Sequence, residues 1–284
     1  MPDAVPPSTR DAESRAVVGG RHLPIAIAVG LLLAGLFLGS LFWHPLALAV
    51  VVAGLASTGL IETGRMLAGV GRRLDVPVVV LATLVMLFGT YLLGVTGLLA
   101  GVVVLVLGGL LSQLADVRRS QVAETLGLTM LFGLWVGVLA SFAVLLVDRP
   151  HGPIIGVAVI GGAILSDIGG YAAGVTLGRH KLAPVLSPNK TWEGLAGALL
   201  LPTVLAAVVL PQVAGPFDPL SAAVVAGAAS LAAMIGDLAE SMLKRDLGVK
   251  DLGSVLPGHG GVLDRVDGIL FALPVGTLAV ELLL

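Results

Sequence analysis

The chain has 284 residues, of which 57% are hydrophobic and 12% charged, with a net charge of -2 and no cysteine. Soluble domains carry roughly 25% charged residues, and at a mean hydropathy of +1.04 too little polar surface remains to coat a globule in water. A soluble enzyme, a disordered chain and a fibre are excluded; without thiols, so are a disulfide scaffold, a thiolate zinc site and a cysteine nucleophile. What remains is a polytopic membrane protein, and its few charges are where function has to be sought.

Residues 1–22 are polar, carry mixed charge and contain Pro2, Pro6 and Pro7, and they read as a disordered cytoplasmic tail. The apolar stretch that follows is longer than the 7–15 residues of a signal-peptide core, and acids sit among the preceding bases, which argues against cleavage. A spanning helix needs about 20 apolar residues to cross a hydrocarbon core of roughly 30 Å. Nine runs of about that length follow, near 23–42, 45–61, 76–94, 96–115, 125–147, 153–176, 195–214, 219–240 and 262–284. They are too long for outer-membrane strands of about 10 alternating residues. The expected fold is therefore all-α, a polytopic integral membrane bundle of about nine transmembrane helices. Residues 23–150 form its five-helix N-terminal part and 151–284 a catalytic region. The 39 glycines suit close helix–helix approach in lipid, and no internal repeat suggests the inverted halves of a transporter.

With nine spans and the N-terminus inside, 15 of the 16 basic residues fall on the cytoplasmic side and only Arg149 lies outside. The positive-inside rule expects that asymmetry. The N-terminus is thus expected in the cytoplasm and the C-terminus outside. Two long cytoplasmic segments result, about 177–194 and 241–261.

The first segment holds Arg179, His180 and Lys181, then Ser187-Pro188-Asn189-Lys190-Thr191-Trp192-Glu193-Gly194. Ser187-Pro188 favours a turn. Arg179 and Lys190 with Ser187, Asn189 and Thr191 make an anion-binding loop before a helix N-terminus, or an ordinary basic loop against lipid headgroups. Around the second segment, Asp237, Glu240, Ser241 and Lys244 share one helical face, as do Asp264 and Asp267. Asp167 adds an acid from the sixth span. Such groups inside a span are costly, roughly 2.5 to 3.5 kcal/mol each at the centre, and need cations or water. They read as a site, or as packing ion pairs with Arg245 and Arg265.

Carboxylates without thiolates favour a hard cation such as Mg²⁺. Lys244, Arg245, Lys250 and Arg265 can clamp phosphate oxygens, and Gly260 and Gly261 let a backbone approach a ligand. His259 stands alone between glycines, as a phosphate donor or a packing residue rather than a metal ligand. These are the parts of phosphoryl or nucleotidyl transfer, with neither a Walker A sequence nor a GxGxxG turn.

The run from Ser241 through Lys244, Arg245, Lys250, Asp251, Gly253, Leu256, Pro257, His259, Gly260, Gly261, Asp264 and Arg265 to Asp267 resembles the signature of the phosphatidate cytidylyltransferases, also called CDP-diacylglycerol synthases. Ser187–Gly194 and Asp167-Ile-Gly-Gly-Tyr171 resemble upstream motifs of that family, with Asn189 where some members have a second lysine. The likeness is specific from about 160 onward.

The resemblance implies transfer of CMP from CTP to phosphatidate, giving CDP-diacylglycerol and pyrophosphate, with Mg²⁺ and an accompanying monovalent cation in view. It also implies a homodimer in the cell membrane among membrane lipids, and no nucleic acid. On that reading Asp237 and Asp264 hold the metal, with Asp267 and Asp167 behind them. Lys244, Arg245, Lys250 and Arg265 bind phosphate oxygens. Ser187, Asn189, Lys190, Thr191, Arg179, Ser241, His259, Gly260 and Gly261 help to seat the substrates. A related cytidylyltransferase, a lipid or prenol kinase and an ion-coupled transporter are the alternatives.

Overall fold

The computed structural model describes residues 23–117, 120–213, 215–256 and 260–284. The expected 1–22 tail, Arg118, Arg119 and His259 lie outside them. Nine helices follow in order among the described residues. They are α1 (Leu23–Trp43), α2 (Pro45–Gly69), α3 (Val76–Leu93), α4 (Val95–Ala115), α5 (Val122–Val147), α6 (Gly152–Leu177), α7 (Trp192–Val209), α8 (Pro219–Asp246) and α9 (Leu263–Leu283). Helices α2 to α9 are each long and apolar enough to cross a membrane, and Ala34–Trp43 of α1 adds a further apolar stretch. The protein is a multi-pass helical bundle, as the nine apolar runs imply.

Three of the boundaries that differ from the hydropathy reading do so for a polar reason. Helix α2 runs two turns past residue 61 because Glu62 and Thr63 are buried there rather than solvated. Helix α8 continues to Asp246, carrying Lys244 and Arg245 in its last turn where the helix dipole favours cations. Helix α7 begins at Trp192, since Thr191 caps it by accepting the N–H of Gly194 at 3.0 Å. At the far end of the bundle Asp218 caps α8, and the Ser221 hydroxyl and two backbone N–H groups hold its carboxyl below the usual range.

The polar stretch before α7 is an antiparallel hairpin, β1 (Lys181–Ala183) with β2 (Ser187–Thr191). Its turn is 184–186, so Ser187-Pro188 opens the second strand instead of forming the turn. A two-stranded ribbon has only edges, where a proline is tolerated.

The loops after α2, α4, α6 and α8 meet at one end of the bundle. Arg73 pairs with Asp116 at 3.1 Å, Arg72 with Glu124 at 3.4 Å and with Asp246 at 3.6 Å, and Arg245 Nε donates to the Leu186 carbonyl at 3.3 Å. Arg149 pairs with Glu281 at the opposite end. Apart from Arg149, the described basic residues thus segregate to one end, as the charge count expects.

Two apolar cores each draw on both halves of the chain. One joins Leu41 and Leu48 to Val159, Ala229 and Ala272. The other joins Leu60, Met86 and Phe132 to Leu252, Leu263 and Leu270. Helices α6 and α7 touch backbone to backbone: a Cβ on Gly169 would lie 2.3 Å from the Gly197 carbonyl oxygen. In α5 the segment Gly133–Val138 is π-helical, a local widening that is frequent at functional sites.

Candidate active site

The hairpin, α6, α7 and α8 enclose a polar pocket of about 270 Å³ at the basic end. Asp167 and Tyr171 come from α6, Asn189 and Lys190 from β2, and Asp237 from α8. The glycine contact between α6 and α7 brings these helices close enough for the hairpin to fold back over the pocket. Glu193 fixes that hairpin: it accepts the backbone N–H groups of Arg179 at 3.1 Å and His180 at 3.2 Å, and meets His180 Nδ1 at 2.6 Å. Lys190 reaches across to Asp237, Nζ to Oδ2 2.5 Å.

Asp237 begins the acid cluster. Its carboxylate, that of Glu240 one turn on, and that of Asp267 on α9 offer oxygens all within 4.8 Å of one another. Glu240 is only 1% exposed, and its Oε1 is buried without a hydrogen-bond partner among the described residues. Lys244 Nζ stands between Glu240 Oε2 at 3.3 Å and Asp264 Oδ1 at 3.0 Å. The charges of Asp237, Asp267, Lys190 and Arg265 all act on Asp167. Five carboxylates thus gather with three cations, Lys190, Lys244 and Arg265. An excess of desolvated negative charge is expensive, and the place is chemically fitted for another cation.

Two carboxylates shape the loop between α8 and α9. Asp264 accepts the N–H of Leu252 at 2.9 Å and of Gly261 at 3.1 Å. Glu62 of α2 accepts Ser254 N–H at 2.8 Å and Val255 N–H at 2.5 Å on one oxygen, and Val262 N–H at 2.9 Å on the other. Gly253 lies against Glu62 so closely that a Cβ would come within 2.6 Å of its carboxyl carbon. Gly260 has φ +79°, a left-handed conformation suited to glycine, and its carbonyl accepts Leu256 N–H at 3.0 Å.

The residues expected from the sequence divide accordingly. Asp167, Asn189, Lys190, Thr191 and Asp237 line the polar pocket. Asp237 and Asp267 share the acid cluster, and Ser241 Oγ reaches Asp237 at 3.5 Å. Asp264 sits one lysine away, with its oxygens on Lys244 and the loop N–H groups. Gly260 and Gly261 belong to the loop. Arg179, Lys250 and Arg245 are exposed at the rim, Ser187 is half-buried in β2, and Arg265 opens the first turn of α9. Asp237 pairs with Lys190 and Asp264 with Lys244. Glu62, Glu240 and Glu193 are the additions. Glu240 was visible on the Asp237 face, while Glu62 fell one residue beyond the span drawn for it.

Residues 24–283 match the cytidylyltransferase family. The chain belongs to the cytidylyltransferase family. It is similar to the phosphatidate cytidylyltransferase of Mycobacterium leprae, 35% identical over 88% of this chain and 85% of that protein. It is similar also to the Mycobacterium bovis protein of the same name, 33% identical over 88% of this chain and 86% of the relative. A Bacillus subtilis phosphatidate cytidylyltransferase is 44% identical over 109 residues, 38% of this chain and 40% of that one. A cytidylyltransferase is a nucleotidyl-transfer enzyme. The matched stretch includes the buried acids and the lysines among them, together with the hairpin and the Glu62-tied loop.

Proposed function

We propose that this cytidylyltransferase couples CTP to phosphatidate, releasing pyrophosphate and leaving CDP-diacylglycerol in the cell membrane. The observation that carries the reading is the meeting of Asp237, Glu240 and Asp267 between Lys190 and Lys244 at the basic end of the bundle. The basic end is assigned to the cytoplasm by the positive-inside rule, which puts the polar pocket where a water-soluble nucleotide is supplied. A homodimer belongs to the same proposal.

The donor set is all carboxylate, with a buried oxygen of Glu240 lacking a partner, and it suits a hard divalent cation such as Mg²⁺. Asp237, Glu240 and Asp267 would hold it, with Asp264 the fourth candidate because its lysine partner is one that a substrate phosphate competes for. When bound, the ion supplies neutralisation of triphosphate charge. A monovalent cation beside it remains part of the proposal, in keeping with the surplus of acids.

The residues do the rest. Lys190, Asn189 and Thr191 seat phosphate oxygens in the polar pocket. Lys244, Arg245, Lys250 and Arg265 hold the lipid phosphate and the departing pyrophosphate. An oxygen of the phosphatidate phosphate forms a bond to the α-phosphorus of CTP as the bond to the β-phosphate bridging oxygen breaks, in line. Because that phosphate is largely ionised at neutral pH, no activated serine or cysteine is required, and positioning dominates. The test is purified protein with labelled CTP, phosphatidate and Mg²⁺, the lipid product identified by mass. A CDP-lipid with stoichiometric pyrophosphate supports the reading. A phosphorylated lipid with a nucleoside diphosphate, or no lipid product, overturns it.

A further inference from the structure

A second cavity, of about 280 Å³, lies on the other side of the α9 start from the polar pocket, walled by α1, α2, α5, α6 and α9. Its lining is apolar except for Arg265. Leu256 and Val262 of the signature loop join Arg265 in its lining. From Leu263 to Leu273, both in the lining, α9 rises about 15 Å at 1.5 Å per residue. That is half of a hydrocarbon core of roughly 30 Å, the depth of one leaflet. On α5 the cavity is lined by Val136, inside the π-helical segment, and continues to Ala140 and Ala143.

We infer that this cavity takes one acyl chain of the phosphate-bearing lipid substrate, with the lipid phosphate at Arg265 and the chain running inside the bundle toward Ala143. The inference rests on the lipid acceptor proposed above and names where its tail goes. Charge complementarity selects the occupant: a single cation in the wall of an otherwise apolar cavity matches an anionic headgroup joined to a hydrocarbon chain. The groove of about 420 Å³ between α5, α8 and α9, lined by Trp135, Met242 and Phe271 among others, has no charged residue in its lining to hold a phosphate. The geometry also places the phosphate next to the acids, because Arg265 and Val266 line the cavity while Asp267 belongs to the carboxylate cluster.

Ala140 and Ala143 line the cavity on α5, so Ala140→Leu and Ala143→Leu direct added carbons at it. Each variant is expected to lose about tenfold or more in kcat/KM for dioleoyl-phosphatidate relative to dioctanoyl-phosphatidate, the low end of the range a single methylene commands in an apolar pocket. The short-chain substrate serves as the folding control. Equal effects on both substrates, or none, overturn the inference.

The second arm needs no turnover. Phosphatidate carrying a photoreactive diazirine at the end of one chain is irradiated with the full-length protein in nanodiscs, and the labelled peptides are mapped. Label on residues 136–143 of α5 and 270–273 of α9 supports the cavity. Label confined to outward-facing positions such as Leu110 and Leu114, which are exposed, overturns it. Failure of cytidyl transfer with correct labelling would discard the proposed reaction and keep the lipid site.

Discussion

The carboxylate of Glu62 on α2 accepts the backbone N–H of Val262 at 2.9 Å, across 200 residues of sequence. Its other oxygen takes the N–H groups of Ser254 and Val255, so one side chain of the first half holds two points of the loop between α8 and α9. Substitution Glu62→Gln turns one acceptor into a donor facing backbone N–H groups, and each unsatisfied buried group costs about 1–3 kcal/mol. We expect kcat/KM to fall at least about tenfold on that account, with proteolysis gained within residues 252–262 and helix content unchanged. Full activity with a protected loop would remove Glu62 from this role.

Lys244 lies between Glu240 and Asp264, and its removal leaves both carboxylates without that cation. Breaking a buried pair by deleting one partner costs about 3–5 kcal/mol. Lys244→Met is expected to lower the thermal midpoint in detergent, and Lys244→Met with Asp264→Asn to recover part of the loss. Strict additivity of the two substitutions would show that the pair does not interact.

Chelation should abolish cytidyl transfer, and Mg²⁺ should restore it. In Asp237→Asn and Glu240→Gln the half-activating Mg²⁺ concentration is expected to rise at least about tenfold, as changes around metal ligands commonly cause. Metal titration of initial rates checks this, and a curve identical to that of the unaltered protein rejects the assignment of the two acids.

The contact of Gly169 with the Gly197 carbonyl leaves no room for a methyl group. Gly169→Val should separate α6 from α7 and cost about 1–3 kcal/mol or more through overpacking. It should also weaken CTP binding, because the hairpin rides on these helices. Gly161→Ala, where an added Cβ meets nothing within 4 Å, serves as the control and should hold or gain stability. Thermal unfolding of both variants makes the comparison.

The helices were legible because hydropathy reports lipid burial directly, and the segregation of basic residues followed from the same pattern. Helix ends were less legible wherever a polar residue was buried, as with Glu62, since composition cannot tell a solvated acid from one that tethers a loop. The hairpin at 181–191 escaped because two short strands carry little periodic signal amid turn-forming residues. Within the site, the i, i+3 spacing set Asp237 beside Glu240 correctly. The same spacing put Asp264 and Asp267 on one face of the last span, where Asp264 also meets Lys244 and the loop N–H groups and Asp267 meets the α8 acids. Helical periodicity gives a face but not which neighbour that face meets.

The wide turn at Gly133–Val138 gives α5 a tolerance to length change that a regular helix lacks. A π-bulge accommodates one surplus residue while the flanking α segments keep their mutual register. Loss of one residue inside it would tighten the pitch and leave both ends of α5 seated. The same deletion elsewhere along α5 would swing the distal half by roughly 100°, given 3.6 residues per turn, and turn its buried face to the lipid.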